Sequence, residues 1–250
     1  MSIYIYDRDE IKKIGEACAI TANILDEIGD LIEDGNSLGN IDLHVRDLCR
    51  KSKAVPAFLG YKGFPASICV SVNSEVIHGI PDQKRKLKSG DIVGLDFGVQ
   101  YNGFFGDSAR TYPVGRVSDS AKVLVEQTKA ALYKGIDAAV EGNRISDISH
   151  AVESHVRKYG LSPVHEFVGH GIGRKLHESP QIPNYGPPGK GVKLKPGMVL
   201  AIEPMINEKG AAVSILEDGW TTVTCDGGLS AHFEHTVAVT ERGPDILTQL

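Results

Sequence analysis

Apolar residues recur at helical spacing in four stretches of the chain, which cover residues 8–34, 40–53, 119–141 and 145–159. Before the first stretch, Asp7 stands three residues ahead of Glu10 in the pattern of a capping box, and Gly35 follows as a stop signal. Asn40 is expected to cap the second stretch. The pattern therefore predicts a pair of amphipathic helices in each half of the chain.

Strand-like segments follow the first helix pair, at residues 66–73 and 91–113. The second segment contains Tyr101-Asn102-Gly103, a turn that would close a β-hairpin. Asp96 and Asp107 interrupt this hairpin, although strands disfavour Asp. A carboxylate at the end of a buried strand costs several kcal/mol unless it is paired or bound to a metal. On this segment alone, a turn position for Asp96 and a loop position for Asp107 explain the residues equally well.

The hairpin segment occurs twice in the sequence. KLKSGDIVGLD at 86–96 matches KLKPGMVLAIE at 193–203, and this offset of 107 residues aligns Asp96 with Glu203. His78-Gly79-Ile80 and His170-Gly171-Ile172 form a second matched pair in the same order. A further predicted strand at 231–240 places Glu234 where Asp107 stands in the first copy. A fixed offset of this kind indicates two copies of one structural unit.

The repeat predicts an α+β fold with a pseudo-two-fold repeat of α-α-β-β-β halves, in which helices cover antiparallel sheets. We expect a single domain over residues 1–250, with halves of about 1–117 and 118–250.

Composition and charge exclude several classes of protein. With 250 residues, of which 41% are hydrophobic, and a net charge of −5, the chain is an ordinary globular protein with no basic field for DNA or other nucleic acid. No apolar run reaches the length of a membrane span, and the N-terminus resembles no signal peptide, so we expect a cytoplasmic protein that does not bind membranes. The four cysteines show no Cys-x-x-Cys spacing, which argues against disulfides and structural zinc.

The repeated carboxylates and one histidine form a candidate metal site. His170 lies among Gly169, Gly171 and Gly173, which permit a close approach of the backbone to a ligand. Four carboxylates and one imidazole carry too much negative charge for one tetrahedral zinc ion, and they suit two divalent ions that share bridging carboxylates. Such a pair of ions holds a bridging hydroxide and polarises a carbonyl or phosphoryl oxygen. The residues thus predict metal-assisted hydrolysis.

The candidate ligands and the segments around them resemble a known family. Five ligands in order, with GHGIGRKLHE and KPGMVLAIEPM around the middle ones, resemble the type I methionine aminopeptidases, metallopeptidases of the pita-bread fold. The similarity runs from the first helix to the last strand and is closest to the short bacterial-type form. It implies that the single domain is catalytic and removes the initiator methionine from nascent chains whose second residue is small. The implied ligands are Asp96, Asp107, His170, Glu203 and Glu234.

The resemblance also assigns a role to each residue of the site. Asp96 would bind one metal, His170 and Glu203 the other, and Asp107 and Glu234 both. Glu203 would in addition accept a proton from the bridging water. His177 would stabilise the developing oxyanion, and His78 would contact the peptide near the scissile nitrogen.

By the same resemblance, a pocket for the methionine side chain is lined by Phe58, Tyr61, Phe64, Cys69, His78, Leu176 and Trp220, and His177 also binds the substrate. The sequence departs from the commonest bacterial pattern in this pocket, where a cysteine is usual at Phe58, a tyrosine at Phe64 and an aromatic residue at Leu176. These changes affect the volume of the pocket and leave the reaction unchanged. Without the resemblance, Phe58, Tyr61 and Phe64 would be interpreted as ordinary aromatic residues packed on the core.

The resemblance further implies the cofactors and partners. The two divalent ions would be Mn, Co, Fe, Zn or Ni, and a monovalent cation would lie near Asn73 and Ser230. The substrates would be the N-termini of nascent peptides. We expect a monomer, and the sequence leaves contact with the ribosome open.

Two other functions remain open at this stage. A proline-directed peptidase of the same fold would act on X-Pro bonds, but such enzymes normally carry a large additional N-terminal domain, for which 250 residues leave no room. A non-catalytic binding protein of the same shape would have lost metal ligands, whereas this chain has all five.

Overall fold

Four α-helices occur within residues 3–249, the part of the chain that the computed structural model describes. They are α1 (Arg8–Gly29), α2 (Leu38–Lys51), α3 (Asp119–Asp137) and α4 (Ile145–Val156), and single 3₁₀ turns form at Tyr61–Gly63 and Arg157–Tyr159. All four helices lie where the sequence predicts them. The capping box of α1 is confirmed, because Asp7 Oδ1 accepts from Glu10 N at 2.8 Å and Glu10 Oε2 accepts from Asp7 N at 3.1 Å.

The predicted cap of α2 is wrong by three residues. Ser37 is the N-cap, with extended backbone angles, and its Oγ accepts a hydrogen bond from Asn40 N at 3.2 Å. Ser37 also forms a β-bridge with Lys86, and this bridge fixes where the extended chain ends. Asn40 therefore lies inside the first turn of the helix. A cap is easily misplaced when two good capping residues lie within one turn of each other.

The strands pair in three antiparallel sheets. In chain order the strands are β1 (Val55–Pro56), β2 (Cys69–Val72), β3 (Glu75–Ile77), β4 (Ile92–Tyr101), β5 (Phe104–Pro113), β6 (Ser162–Pro163), β7 (Gly169–Gly171), β8 (Glu178–Ile182), β9 (Val199–Ile202), β10 (Met205–Asn207), β11 (Val213–Ile215), β12 (Thr222–Thr224), β13 (Ser230–His232), β14 (Glu234–Thr240) and β15 (Gly243–Ile246). The main sheet has the order β1-β4-β5-β14-β9-β7-β8, with β2 also on β4 and β15 also on β14. Pairing of β5 with β14 joins the two halves of the chain.

The predicted hairpin is confirmed as β4 and β5, but the strand predicted at 231–240 is divided. Residues 230–232 pair with β10 in a small sheet, and residues 234–240 belong to the main sheet. Phe233 lies between them, and its backbone N–H donates to the carbonyl of Pro204 at 3.3 Å. This break lets Glu234 start a strand of the main sheet.

Matched backbone contacts reveal the pseudo-two-fold repeat. The bridge between Ser37 and Lys86 recurs between Arg144 and Lys193, each residue 107 positions later. The hydrogen bond from Gly35 N to Leu87 O recurs from Gly142 N to Leu194 O. The side chain of Asn36 caps Leu31 O, and Asn143 caps Ala138 O in the same way. The two copies thus share local geometry as well as sequence, with helices on one side of the sheet in each.

The helices cover the outer face of the main sheet. The buried face of α1 packs on β4 and β5, and α3 packs on β5, β9 and β14. The approach of α1 is close at Gly106, where an added Cβ would lie 2.6 Å from Cys18 N. Thr21 Oγ1 donates to Gly106 O at 3.2 Å. Since Gly106 precedes Asp107, the helix fixes the position of that carboxylate.

No helix among residues 3–249 combines the length and the apolar character that crossing a membrane requires.

Candidate metal centre

Strand register brings three of the predicted carboxylates to one face of the main sheet. Ala109 on β5 pairs with Asp96 on β4 and with Glu234 on β14. Asp107 lies two residues before Ala109, and side chains two apart along a strand point to the same face. Asp107 and Glu234 are both buried. The loop and turn positions considered for Asp96 and Asp107 are therefore wrong, because both residues lie within paired strands.

The second half contributes the imidazole and the fourth carboxylate. His170 on β7 pairs with Ala201 on β9, and Glu203 follows two residues later. Ile202, the last residue of β9, pairs with His235, so Glu203 directly after β9 lies beside Glu234 at the start of β14. His170 Nε2 lies 3.4 Å from Glu203 Oε1.

All five predicted ligands line one cavity. One donor atom from each of Asp107, His170 and Glu234 lies within 4.8 Å of the others, a spacing at which a single ion can contact all three. The two halves of the chain thus meet at a cluster of carboxylates and an imidazole.

Burial raises the pKa of every carboxyl group in this cluster. The pKa of Asp96 rises to about 7, mainly through burial, while His232 opposes the rise and Glu203 adds to it. Burial also raises the pKa of Glu203 to about 7, although His170 opposes this rise. Burial and the neighbouring carboxylates raise the pKa of Asp107 and of Glu234 well above the usual range. Without a cation these groups favour their protonated forms.

Unpaired polar atoms show that the cluster fits a cation. Among the described residues, Asp107 Oδ1 and Glu234 Oε1 are buried and have no hydrogen-bond partner. Leaving a buried carboxylate oxygen without a hydrogen-bond partner costs about 1–3 kcal/mol or more. Such atoms therefore normally have a partner in folded proteins. Oxygen atoms in the majority with one imidazole nitrogen suit divalent ions of hard or borderline character. The chemistry of the donors therefore matches a divalent metal centre.

His232 belongs to the surroundings of this centre, although it is not among the residues predicted for the site. It is buried, and its Nε2 lies 3.7 Å from Glu203 Oε2 without a hydrogen bond to any described residue. The only sequence signal for it is its place two residues before Glu234. That spacing predicts the same face of a continuous strand, but the chain breaks at Phe233.

The predicted methionine pocket adjoins the carboxylates in the same cavity, whose volume is about 150 Å³. Phe64 and Trp220 meet edge to face with ring centroids 5.2 Å apart. The rings of Trp220 and His78 also meet edge to face, with centroids 6.1 Å apart. The residues predicted for this pocket all line the cavity, namely Phe58, Tyr61, Phe64, Cys69, His78, Leu176 and Trp220, and the substrate-binding residue His177 lines it as well. An apolar wall with sulfur and aromatic edges suits an unbranched thioether side chain.

The two histidines predicted to contact the scissile bond are held neutral. Burial, together with the nearby His170, Lys62 and His78, lowers the pKa of His177 to about 3. Burial, with His232 and Lys62, lowers the pKa of His78 to about 4. His177 Nδ1 lies 2.9 Å from Tyr61 Oη, and its ring lies 4.3 Å from the ring of His170. A neutral imidazole can donate a hydrogen bond from one nitrogen while the other accepts one.

The N-terminal segment holds the loop that carries Leu176 and His177. Tyr6 Oη donates to Glu178 at 2.8 Å and accepts from Arg174 N at 3.0 Å. Arg174 also pairs with Glu10 on α1. Hydrogen bonds from Tyr6 thus hold the loop on both sides of Leu176 and His177, which line the cavity.

The predicted monovalent-cation residues are neighbours in the structure. Ser230 N donates to Asn73 O at 2.9 Å, and Asn73 Oδ1 accepts from Ile92 N at 3.0 Å. Ser230 Oγ donates to Asn207 Oδ1 at 2.9 Å. The two residues lie together, and their side chains already have protein partners.

Lys62 also lines the cavity, although sequence reasoning gives no signal for it. A lysine in a glycine-containing loop is usually solvated, and nothing in YKG distinguishes this one.

Comparison with known proteins agrees with this geometry. The model of metallopeptidase family M24 matches residues 12–241. The chain is 52% identical to methionine aminopeptidase 1 of Bacillus subtilis, over 96% of this chain and 97% of that protein, and 50% identical to methionine aminopeptidase of Borreliella burgdorferi, over 97% of each.

The fold of the chain also matches solved structures closely. A methionine aminopeptidase from Thermotoga maritima superposes with a TM-score of 0.98 at 44% identity, over the whole of both chains. A prolidase from Pyrococcus furiosus superposes at 0.80 with 25% identity, and this chain spans 98% of its own length but 65% of that chain. The predicted pita-bread fold and the resemblance to the methionine aminopeptidases are confirmed. The chain belongs to metallopeptidase family M24.

Proposed function

We propose that this protein is a metal-dependent methionyl aminopeptidase, which removes the initiator methionine from nascent chains whose second residue is small. The observation that carries the proposal is the cluster of Asp107, His170 and Glu234 around one point, with unpaired buried oxygens, directly beside an apolar pocket. Two features of an exopeptidase, a cation site and a side-chain pocket, thus share one cavity.

In this proposal two divalent ions occupy the site. Asp96 would hold one, His170 and Glu203 the other, and Asp107 and Glu234 would contact both. When bound, such ions supply Lewis acidity that polarises the scissile carbonyl and lowers the pKa of a bound water. Four carboxylates match the charge of two divalent cations, and this balance supports two ions rather than one.

The side chains of the protein supply the proton transfer and the orientation. Glu203 would act as the proton acceptor, since the adjacent cations would keep its carboxylate ionised and able to accept a proton. His177 donates a hydrogen bond to the oxygen of the scissile carbonyl, and its low pKa keeps it neutral. His78, whose ring contacts Trp220, contacts the peptide near the scissile nitrogen.

The cavity also selects the substrate. The methionine side chain lies against Phe58, Phe64, Cys69 and Trp220, while the free amino group faces the carboxylates. A monovalent cation near Asn73 and Ser230 would stabilise the adjoining backbone. The substrate arises at the ribosome, so we expect the protein to act in the cytoplasm. We also expect it to be a monomer, and the proposed reaction does not depend on contact with the ribosome. Residues 1–250 form the single catalytic domain in this proposal.

Peptide cleavage with defined metal content tests the proposal. Protein freed of metal and then supplied with Mn²⁺, Co²⁺ or Fe²⁺ should cleave Met-Gly and Met-Ala peptides, and should cleave Met-Leu and X-Pro peptides poorly. Asp96→Ala and His170→Ala should abolish activity while the melting temperature shows that the protein remains folded. Full activity in a strong chelator would contradict the metal requirement, and preferred cleavage of X-Pro would indicate a prolidase. Metal analysis and anomalous scattering would count the ions.

A further inference from the structure

Lys62 places a positive charge at the mouth of the cavity. It is exposed, yet it lines the same cavity as the five carboxylate and imidazole residues. Its Nζ lies 5.4 Å from the centroid of the Tyr61 ring, and that ring stacks on His177 with centroids 5.3 Å apart. The ammonium group therefore sits next to the stack of Tyr61 and His177, at the solvent-exposed side of the cavity.

The charge of Lys62 reaches both histidines beside the scissile bond. Its proximity contributes to the low pKa of His177 and of His78. The methionine side chain of a bound peptide enters the pocket, and its amino group faces the carboxylates. The remainder of the peptide must therefore leave past these two histidines, on the side where Lys62 lies.

The charge of Lys62 is not neutralised by the protein. Among residues 3–249, no carboxylate oxygen lies within 4.0 Å of its ammonium nitrogen, whereas other lysines such as Lys51 and Lys122 have such partners. The four carboxylates deeper in the cavity would be balanced by the two divalent ions of the proposed function. Lys62 then remains an uncompensated positive charge at the cavity, and the apolar walls of a cleft strengthen its field.

We propose that Lys62 determines substrate specificity by favouring peptides with an acidic third residue over peptides with a basic one. This inference rests on the proposed function. An extended peptide advances about 3.3–3.6 Å per residue, so the third residue lies about 7 Å beyond the first. The small second residue passes between His177 and His78, and the side chain of the third is the first that can reach the ammonium group.

Three peptides that differ at a single side chain provide the test. Met-Gly-Asp-Ala, Met-Gly-Asn-Ala and Met-Gly-Lys-Ala are used with amidated C-termini, because a free terminal carboxylate would itself be attracted to Lys62. The wild-type protein should cleave the Asp peptide with a kcat/KM about three- to fivefold higher than the Lys peptide at low salt. This ratio should fall towards one at about 0.5 M salt, where charges on an exposed site are screened.

Substitutions at Lys62 should change the ratio in a graded order. Lys62→Arg should keep it, Lys62→Met should bring it close to one, and Lys62→Glu should invert it. The ratio within each variant is the readout, so a general change in activity or folding cancels. Lys53→Met is the matched control, because Lys53 is also exposed and adopts a similar left-handed φ of 57°, against 49° for Lys62, but lies outside the cavity.

The outcomes separate this inference from the proposed function. No cleavage of any of the three peptides by the metal-loaded protein would contradict both. Equal cleavage of the Asp and Lys peptides by the wild type, or a ratio unchanged in Lys62→Glu, would overturn the role of Lys62 and leave the aminopeptidase function intact. A ratio that changes equally in Lys53→Met would indicate a general effect of net charge.

Discussion

At the scale of single residues, the site is defined by groups whose protonation the protein controls. Burial raises the pKa of the four carboxyls and lowers the pKa of His78 and His177. Each shift favours the neutral form of its group in the absence of a cation. Ionising this cluster without a cation costs free energy, and a bound cation would offset that cost.

Glu203→Gln should separate the catalytic role of the carboxylate from its effect on stability. We expect kcat to fall by about 10²–10⁴, the usual contribution of a proton acceptor. The metal-free variant should melt no lower than metal-free wild type, since one of four mutually repelling buried groups has become neutral. Steady-state kinetics and thermal melting measure the two effects, with the exposed Glu241→Gln as control. A variant that loses stability but keeps kcat would refute the role.

Tyr61→Phe should impair turnover more than binding. The hydroxyl lies 2.9 Å from His177 Nδ1, and we expect it to donate, which leaves the proton of the neutral imidazole on Nε2, facing the substrate. Loss of this hydrogen bond, worth about 1–1.5 kcal/mol, should lower kcat roughly tenfold. KM should change little because the ring remains as a wall of the pocket. Kinetics on a Met-Gly peptide measure both, and a raised KM with unchanged kcat would mean that Tyr61 serves as pocket wall alone.

At the scale of elements, the contact between α1 and β5 positions the carboxylates. An added Cβ at Gly106 would lie 2.6 Å from the backbone of Cys18, which cannot rotate away. Gly106→Ala should therefore destabilise the protein by about 2–3 kcal/mol and lower the melting temperature by about 5–10 °C. Activity should also fall, because the neighbouring Asp107 is displaced.

Gly15→Ala provides the control in the same helix. An added Cβ there would meet nothing within 4 Å, and Ala favours helix more than Gly by about 0.5–1 kcal/mol. This variant should melt slightly higher than wild type with full activity. Equal melting temperatures for the Gly106 and Gly15 variants would show that the helix can move away from the strand at little cost.

The sequence predicts most of these elements, and its errors have local causes. The repeat predicts the positions of Asp96 and Glu203 because both follow one motif. The division of 231–240 at Phe233 depends on pairing with β10, a contact distant along the chain that no local pattern reveals. The sequence does not single out Lys62 or His232 for a related reason, since their roles arise from neighbours that only the folded chain supplies.

At the scale of the whole molecule, the two halves meet at a cluster that opposes folding until a cation is bound. The pKa of these carboxyls is near 4 in the unfolded chain and about 7 in the folded protein. Between these two pH values, the folded protein therefore binds more protons than the unfolded chain. By linkage, the metal-free protein then loses stability as pH rises through this window. The low pKa values of His78 and His235 act in the opposite direction, because these groups bind fewer protons in the folded state than in the unfolded chain.

The difference in melting temperature between metal-loaded and metal-free protein should therefore widen as pH rises from about 5 to about 7.5. A bound cation requires the deprotonated carboxylates, so its binding releases protons that the metal-free protein retains at low pH. Each released proton corresponds to about 1.4 kcal/mol per pH unit, or roughly 3–6 °C for a chain of this length. Dialysed protein with and without a fixed concentration of free Mn²⁺ avoids the pH dependence of a chelator. Asp96→Asn should flatten the trend, because it removes one titrating ligand. If the difference in melting temperature stays constant or narrows as pH rises, the carboxyls are already ionised in the metal-free protein. The two halves of the chain would then pack together at this site without protons or cations to neutralise the carboxylates.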